Sequence, residues 1–349
     1  MAYSPILKPS LYMNPKLYAG NGAASHAITG VGFQPYWSWI KNRTGADNHN
    51  LFDTIRGANK VIVTNNANLE GTQTDGLLSF NSDGFTVGAS GSVNTNGNSF
   101  ASWNWKAGTS VSGTSGGSGT GKAYSGSVNT DSGFSIITYV GNGTAGHTIP
   151  HHLGVAPRMI IVKALSTNDD WMVGHISAGF NQFMILNSTA RDATGTQWNS
   201  TVPTSSVFSI GSNNNMNQNN NNFIAYSFAE KQNFSKISGY TGNGNADGVF
   251  IYTGFKPAFV IIKQVSASGE DWFICDTKRE GYNAENNRLM PNLNSAESTD
   301  SPIDILSNGF KARQSGAAVN AAEDYLYMAF AENPFVTSTS NGSIPATAR

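Results

Sequence analysis

The sequence predicts an all-β protein composed of tandem antiparallel β-sandwich repeats of a lectin-like or jelly-roll-like type. Charged residues make up 12% of the chain, where roughly 25% is usual in globular proteins. Glycine, asparagine, serine and threonine are abundant, and no apolar stripe of helical spacing lasts longer than about two turns. Short apolar segments separated by turn residues therefore indicate strands rather than helices.

An internal repeat is the second observation behind this prediction. Each of three copies opens with the motif Tyr-x-Gly-Asn-Gly, continues to a turn that ends in proline, and then reaches a lysine at the end of an apolar run. These landmarks are Tyr18, Pro35 and Lys41 in the first copy, Tyr139, Pro157 and Lys163 in the second, and Tyr240, Pro257 and Lys263 in the third. A copy of this length is a whole domain with a core of its own, and it is too long to be one unit of a solenoid.

The strand that ends at the recurring lysine is predicted to be buried on both sides. In the first copy Trp37 and Trp39 share a face with Lys41, because side chains alternate between the two faces of a strand. In the second and third copies both faces are apolar, which is typical of a strand that is covered on both sides. One cover is the core of the sandwich, and the other is either a neighbouring repeat or another subunit.

Each copy closes with a pair of aromatic residues at a fixed spacing. The second member of each pair lies in a short strand of alternating apolar and polar residues. Turn residues such as those at positions 81–84 supply the positive φ of tight hairpins. Two packed antiparallel sheets per copy are the simplest architecture that fits these patterns. The pairs are Phe85 with Trp105, Phe208 with Phe228, and Phe310 with Phe330.

The landmarks divide the chain into six predicted segments. A linker rich in Gly, Ser and Thr is expected to be flexible, so that the first repeat is hinged while the second and third hold a fixed relation. The N-terminal arm is expected to be a docking arm that uses Ile6, Leu7, Leu11, Tyr12 and Leu17. The segments are the docking arm (1–17), the first sandwich (18–108), the linker (109–124), the second sandwich (125–231), the third sandwich (232–333) and a C-terminal tail (334–349).

Charge and cysteine content exclude several classes of protein. A net charge of -1 provides no basic surface for nucleic acid or for an anionic membrane. The single cysteine, Cys275, excludes a disulfide framework. The first 17 residues lack the apolar run of a secretory signal peptide, and no segment approaches the roughly 20 apolar residues of a membrane-spanning helix. We therefore expect the chain to be made and folded in a cytoplasm.

The sequence contains no pattern of catalytic or metal-binding residues. The adjacent His151 and His152 would point to opposite faces of a strand, so a plain turn is favoured over a metal site. An Asp-Trp pair recurs at residues 170–171 and 271–272, but one acid per copy is not the carboxylate pair of a glycoside hydrolase. We interpret these pairs as strand starts with a buried indole. No enzymatic activity, cofactor or metal is expected.

Two polar loops are the candidates for ligand contact. The first is an asparagine-rich run near the end of the second copy. A hairpin tip is the favoured interpretation, and the alternative is a surface whose amides bind sugar hydroxyls. The second follows the opening motif of the third copy and resembles a calcium loop, but it lacks the later bidentate glutamate, so a turn is favoured. The candidate contact residues are Asn213, Asn215, Asn217, Asn219, Asn243, Asn245 and Asp247.

Several segments together resemble a known family. They are residues 30–35, 39–43, 51–57, 80–85 and 103–108 of the first copy, and 240–248 and 254–257 of the third. Over nearly the whole chain they look like the repetitive virion proteins that are common in marine tailed bacteriophages. The resemblance implies a tail-fibre-like structural protein of the virion surface with lectin-like sandwich domains, and it transfers no catalytic residue. The second copy departs from the first, with His175 where the first has Asp53, which argues against one shared ligand site.

Two functions follow as hypotheses. The first is a tail-fibre-like or tail-attached adhesin that contacts the host surface, including a surface glycan, with tandem copies adding avidity. The second is a head decoration or head fibre that stabilises or coats the capsid without catalysis. A glycan-cleaving enzyme is disfavoured because no acid pair recurs, and a long fibre is disfavoured because no coiled-coil shaft is present.

The partners expected from the sequence are other virion proteins and further copies of this chain. A homotrimer is favoured, since oligomerisation would bury the second apolar face of the lysine strands.

Overall fold

The computed structural model describes residues 5–279, 283 and 285–334, and it confirms the all-β prediction. The strand pairings are antiparallel throughout this part of the chain. We call the three structural units repeat 1 (13–105), repeat 2 (109–228) and repeat 3 (235–334). The predicted C-terminal tail, apart from Pro334, lies outside the described residues.

Repeat 1 follows a short 3-10 helix, Pro9–Leu11, and consists of a large and a small sheet. Its elements are Met13–Ala19 (β1), His26–Thr29 (β2), Trp37–Asn42 (β3), Asn50–Asp53 (β4), Lys60–Val63 (β5), Gly71–Thr72 (β6), Leu77–Asn81 (β7), Gly84–Val87 (β8), Gly91–Asn94 (α1) and Ser99–Trp105 (β9). The large sheet has the order β1-β9-β3-β4-β5-β6, and the small sheet has the order β2-β8-β7.

Repeat 2 has the same plan with extra strands at its start. Its elements are Thr109–Thr114 (β10), Gly116–Gly117 (β11), Ala123–Asn129 (β12), Phe134–Val140 (β13), His147–Pro150 (β14), Met159–Ala164 (β15), Met172–His175 (β16), Gln182–Ile185 (β17), Ala193–Thr194 (β18), Val207–Ile210 (β19), Asn214–Asn217 (α2) and Asn222–Phe228 (β20). The large sheet has the order β10-β12-β13-β20-β15-β16-β17-β18, and the small sheet has the order β11-β14-β19.

Among the described residues, repeat 3 has the fewest strands of the three repeats. Its elements are Ser235–Thr241 (β21), Phe250–Tyr252 (β22), Phe255–Gln264 (β23), Phe273–Asp276 (β24), Glu285–Arg288 (β25), Ser298–Leu306 (β26), Gly309–Ala312 (β27) and Asp324–Pro334 (β28). The sheets have the orders β21-β28-β23-β24 and β22-β27-β26-β25.

The two sheets of each repeat pack face to face around a core of their own. In repeat 1, Ile28 and Phe85 from the small sheet meet Ile40 and Phe52 from the large sheet. Repeats 2 and 3 have equivalent cores, which are built around Phe208 and Phe310 respectively. Each repeat therefore buries one face of its large sheet locally, as expected for a sandwich.

The other faces of the three large sheets pack together into a fourth core, which we call the central core. Its middle is a triangle of equivalent rings, Trp105, Phe228 and Phe330. Their centroids are 6.3 Å apart for Trp105 and Phe228, 6.1 Å for Phe228 and Phe330, and 5.8 Å for Trp105 and Phe330. All three pairs are edge-to-face, which is the geometry that the ring quadrupoles favour. The repeats thus surround a pseudo-threefold axis.

The neighbouring repeats cover the second apolar face of the lysine strands. Met159 and Ile161 of β15, like Phe259 and Ile261 of β23, are buried in the central core. No other subunit is needed to cover this face. The homotrimer therefore loses the reason that the sequence offered for it.

The segment predicted to be a flexible linker is instead built into repeat 2. Strand β10 pairs with β12, and β11 pairs with β14. Glycine permits the close approach, because a Cβ at Gly117 (φ +77°) would lie 2.2 Å from the carbonyl oxygen of Gly146. Composition suggested a linker because small side chains bury little surface, yet strand pairing uses the backbone, which every residue except proline can supply in full. The segment does not form the expected hinge.

The predicted docking arm is likewise part of the fold from residue 5 onwards. Ile6 is buried in the central core, and Leu17 packs against that core from β1. The ring of Tyr12 lies 6.0 Å from that of Phe234 and connects the arm to the segment before repeat 3. Leu7 and Leu11 are the two exposed members of the predicted set, at 36% and 37%. The arm thus packs against the central core, which the three repeats share, and against the segment before repeat 3.

The three recurring lysines connect the repeats in a closed cycle. Their side chains are fully buried, and each ammonium donates one hydrogen bond to a backbone carbonyl of a different repeat. Repeat 1 is bonded to repeat 3, repeat 2 to repeat 1, and repeat 3 to repeat 2. The bonds join Lys41 to Asn294 (3.2 Å), Lys163 to Ala67 (3.1 Å) and Lys263 to Thr189 (3.2 Å).

Burial lowers the pKa of these three lysines to about 8, from the ordinary value of 10.5. Nearby carboxylates oppose the shift, and for Lys163 these are Asp169 and Asp170. Carbonyl oxygens of each lysine's own loop accept its further hydrogen bonds, as Asp169 does from Lys163 at 2.8 Å. The charged form is therefore hydrogen-bonded but costs desolvation free energy.

We expect the free energy of unfolding to rise between about pH 8 and pH 9.5 on account of these lysines. Below pH 8 the folded and unfolded chains both hold the protons, and the folded state bears the full desolvation cost. Between the folded pKa and the unfolded value only the unfolded chain keeps them, so stability rises by up to about 1.4 kcal/mol per pH unit for each lysine. Urea unfolding across this range measures the slope.

The variant Lys163→Met isolates one of the three contributions and keeps an unbranched side chain. Its slope of stability against pH should be about two-thirds of the wild-type slope. The range stops at pH 9.5 because burial raises the pKa of phenols such as Tyr139 and Tyr226, and their unfolded counterparts ionise near pH 10. Identical slopes in the two proteins would contradict the assignment.

Candidate functional site

The tyrosine of the opening motif fixes the loop before the last strand of each repeat. Its phenol donates a hydrogen bond of 2.7 Å to a backbone carbonyl in all three copies. Burial raises the pKa of all three phenols, so they remain donors at neutral pH. The acceptors are Val93 for Tyr18, Met216 for Tyr139, and Val319 for Tyr240.

A buried asparagine completes this connection, and in repeat 2 it is Asn217. Its amide group donates to the carbonyls of Thr144 (2.9 Å) and Gly211 (2.7 Å). Its side-chain oxygen accepts from the backbone N–H of Asn142 at 2.9 Å and lies 3.1 Å from Nδ1 of His147. Asn217 therefore has no capacity left for a ligand. Asn94 and Asn320 hold the equivalent position in repeats 1 and 3.

Most of the other predicted contact residues also serve the fold. Asn213 caps helix α2 by accepting from the backbone N–H of Asn215 at 2.9 Å. The side-chain oxygen of Asn243 accepts from the backbone N–H of Asn245 at 3.0 Å, and Asn219 is exposed. Each of the two polar loops is hydrogen-bonded within its own repeat, so the structure does not join them into one site.

Of the predicted contact residues, Asp247 lies beside exposed aromatic side chains and therefore marks a candidate site. It lies just before β22, the outermost strand of the small sheet of repeat 3. This strand exposes Phe250 and Tyr252 at 47% and 53%, on the same face because side chains alternate along a strand. They are the two aromatic residues among the exposed large hydrophobic side chains in the described part of the chain.

Strand β27 supplies the rest of this surface, which we call the aromatic face and define as Asp247, Phe250, Tyr252, Gly309 and Lys311. Phe250 lies opposite Lys311, and Tyr252 lies opposite Gly309. A Cβ at Gly309 would lie 2.0 Å from the carbonyl oxygen of Ile251 and 3.1 Å from the Phe250 ring. Only glycine fits there, and the surface between the two rings stays flat.

Two ion pairs lie beside the rings of Phe250 and Tyr252, one within the aromatic face and one next to it. Lys311 Nζ lies 2.5 Å from Asp247 Oδ1, and Arg313 Nε lies 3.2 Å from Asp304 Oδ2. The hydrogen bond from Lys311 lowers the pKa of Asp247, so this exposed carboxyl group stays ionised. The border therefore offers both hydrogen-bond donors and acceptors beside two exposed rings.

The aromatic face is peculiar to repeat 3. Ile28, Ile149 and Ile251 are equivalent core positions in the small sheets. The residues that flank them on the outer face are small in the other two repeats. They are Ala27 and Thr29 in repeat 1, and Thr148 and Pro150 in repeat 2. Phe250 and Tyr252 are not among the residues predicted from the sequence, although the contrast with the small residues at the equivalent positions is visible there.

The recurring Asp-Trp pairs have structural roles between repeats. The indole N–H of Trp171 donates to the carbonyl of Val63, and that of Trp272 donates to Ile185, both at 2.9 Å. The two adjacent histidines contact different partners, since Nε2 of His151 lies 3.1 Å from the Thr204 carbonyl oxygen and Nε2 of His152 lies 3.0 Å from the Tyr124 hydroxyl. Among the described residues no cluster of three or more His, Cys, Asp or Glu side chains is arranged to hold a metal.

A family model described as "Domain of unknown function (DUF7483)" matches residues 8–334. The chain belongs to this family. The match runs from before β1 to the end of β28, so the unit of the DUF7483 family is the whole ring of three repeats rather than a single sandwich. Neither the curated proteins nor the solved structures give a match. Within the described residues of this DUF7483 chain, no helix is both long enough and apolar enough to cross a membrane.

Asn217→Ala should destabilise the protein, because it leaves several buried polar groups without a hydrogen bond. We expect the free energy of unfolding to fall by about 2–3 kcal/mol, measured by urea denaturation. The matched control is Asn219→Ala, an exposed neighbour that should change stability by no more than about 0.5 kcal/mol. Equal effects of the two substitutions would contradict the structural role of Asn217.

Proposed function

We propose that this protein is a non-catalytic component of a bacteriophage particle surface, tail-fibre-like or a tail-attached adhesin, which contacts a host saccharide through the aromatic face of repeat 3. The observation that carries the proposal is the exposed pair Phe250 and Tyr252, set on a flat surface at Gly309 and bordered by the ion pair of Asp247 and Lys311. Exposed aromatic surface with a polar border is characteristic of interaction sites.

The chemistry of this face suits a saccharide. A sugar ring has an apolar face of C–H groups, which packs against an aromatic ring, while its hydroxyls hydrogen-bond at the ring edge. The carboxylate of Asp247 accepts from hydroxyls, and the ammonium of Lys311 donates to them. Because the two rings are two residues apart on one strand, about 7 Å along it, they match neighbouring sugar units of a chain.

The virion setting rests on the resemblance of the sequence to repetitive virion proteins of marine tailed bacteriophages. A particle surface demands stability without reactive groups. Three sandwiches closed into a ring around the central core, with one buried thiol at Cys275, suit that demand. Other virion proteins are the partners that this setting implies.

A head decoration or head fibre is the second candidate. The closed ring favours it, since the three repeats bind one another and no shaft is seen in the described part of the chain. Immunogold electron microscopy on particles would separate the two candidates. Label on the tail supports the adhesin, label over the head supports the decoration protein, and label on neither rejects the virion setting.

Tyr252→Ala combined with Phe250→Ala should abolish saccharide binding while leaving the fold intact, because both side chains lie outside the cores. We expect affinity for surface polysaccharide of the host to fall at least about tenfold, measured with immobilised polysaccharide. Val202→Ala is the matched control, since Val202 is an exposed apolar residue of repeat 2 at 56%. Binding that survives the double substitution would reject the aromatic face as the contact site.

A further inference from the structure

Strands β1, β13 and β21 are equivalent in the three large sheets, and each has one edge that faces away from the closing strand of its repeat. The three repeats differ in what lies along this edge. In repeat 2 the edge of β13 is covered by β12, with Ser125 opposite Thr138. In repeat 1 the edge strand β1 contains Pro15 at the position equivalent to Ile237, and because proline has no N–H to donate it discourages pairing at that end of the edge. In repeat 3 the edge strand β21 contains no proline, and among the described residues no strand pairs with it on this side.

One half of the β21 edge is closed by side chains and the other half is open. The backbone N–H of Ile237 donates to Glu230 (3.1 Å), and its carbonyl accepts from Arg158 (2.9 Å). The backbone of Ile237 therefore points away from β28. This orientation recurs at every second residue, so Gly239 and Thr241 present their N–H and C=O groups on the same side. Within the described part of the chain these groups have no hydrogen-bond partner.

The open half of the edge borders a crevice of about 620 Å³ between repeats 2 and 3. Ser177 and Gln182 of repeat 2 line it, together with Arg191 and Asp192. A Cβ at Gly239 would lie 3.0 Å from the carbonyl oxygen of Tyr325 and 3.3 Å from Cβ of Ser177, so glycine lets Ser177 of repeat 2 approach β21 closely at one wall of the crevice. The crevice is within the size range of ligand sites, roughly 300–1,000 Å³.

The charges of the crevice favour a basic group. The carboxylate of Asp192 has no hydrogen bond or ion pair with a described residue, and burial raises its pKa, with Arg191 and Lys263 opposing the shift and Asp324 adding to it. Asp324 also lines the crevice and accepts from the Thr241 hydroxyl at 2.7 Å. Two carboxylates thus outnumber the single arginine of the lining, and an added cation would complement them.

We propose that the open edge of β21 accepts an extended peptide strand of a partner protein, which bonds to the backbone of Gly239 and Thr241 and places a lysine or arginine against Asp192 and Asp324. The chain carries the template for this contact in β12, which adds to the equivalent edge of repeat 2. Main-chain hydrogen bonds supply affinity in such strand addition, and side-chain contacts supply specificity. The site is separate from the aromatic face.

The test uses the full chain and a synthetic peptide with the sequence of residues 119–126, Gly-Thr-Gly-Lys-Ala-Tyr-Ser-Gly, labelled with a fluorophore. Its serine corresponds to Ser125, which would lie opposite Gly239, so the peptide extends along the open half of the edge and ends before Ile237. We expect saturable binding by fluorescence polarisation, and methylation of the backbone nitrogen of that serine should weaken it at least about tenfold, since the amide loses its donor. Absence of saturable binding up to about 1 mM, or equal affinity of the methylated peptide, would overturn the proposal.

Protein variants locate the contact. Asp192→Asn lies on the half-exposed rim of the crevice and should weaken binding about fivefold, as should a peptide with Glu in place of Lys. Unchanged affinity in both cases would overturn the role of the basic residue. Tyr252→Ala is the matched control and should bind the peptide like the wild-type protein. Its defect in saccharide binding and the defect of Asp192→Asn in peptide binding keep the two proposals distinguishable.

Discussion

The contact among Trp105, Phe228 and Phe330 is the constraint on which the rest of the structure depends. Each large sheet is apolar on both faces, and an isolated sandwich would expose one of them to water. Packing three such faces around a common axis removes this exposure within one chain. This shared core contains residues of the lysine strands, of the arm before β1 and of the closing strands, and it thereby fixes their positions.

A second set of contacts joins each repeat to another around the pseudo-threefold axis. The positions are equivalent in the three repeats, but the residue types differ. Asp53, His175 and Asp276 occupy equivalent positions, and each contacts the closing strand of another repeat. Asp53 accepts from the hydroxyl of Tyr226 at 2.8 Å, and Asp276 accepts from the indole of Trp103 at 2.9 Å. The ring of His175 lies 3.3 Å from the carbonyl oxygen of Tyr327, and burial lowers its pKa to about 4, so it remains neutral. The contact is retained because its polar groups are buried and must be paired. The difference between Asp53 and His175, visible in the sequence, thus marks a change of bonding partner.

The sequence was sufficient for the fold class, because strand periodicity and turn chemistry are local properties. It was misleading where pairing depends on the backbone alone, as in β10 and β11, since glycine, serine and threonine read as a linker. It could not show that Asn217 is buried, because an asparagine in a polar run looks the same whether it binds the backbone or a ligand. It also left open whether a repeat or a subunit covers the second apolar face of the lysine strands, since that choice depends on the path of the whole chain.

Departures from the threefold pattern separate structural positions from candidate binding positions. A residue with the same contacts in all three repeats, such as Lys163 or Asn217, is explained by the ring itself. Phe250 and Tyr252 stand where the other two repeats have small residues, and the packing of the three repeats does not use these positions. The two side chains leave apolar surface in water, which is unfavourable and is not offset by folding. The open edge of β21 is similar, since an unpaired strand edge invites unwanted association, and in repeat 2 strand β12 covers the equivalent positions. Features that cost stability or solubility and that occur in one repeat of three are best explained by binding.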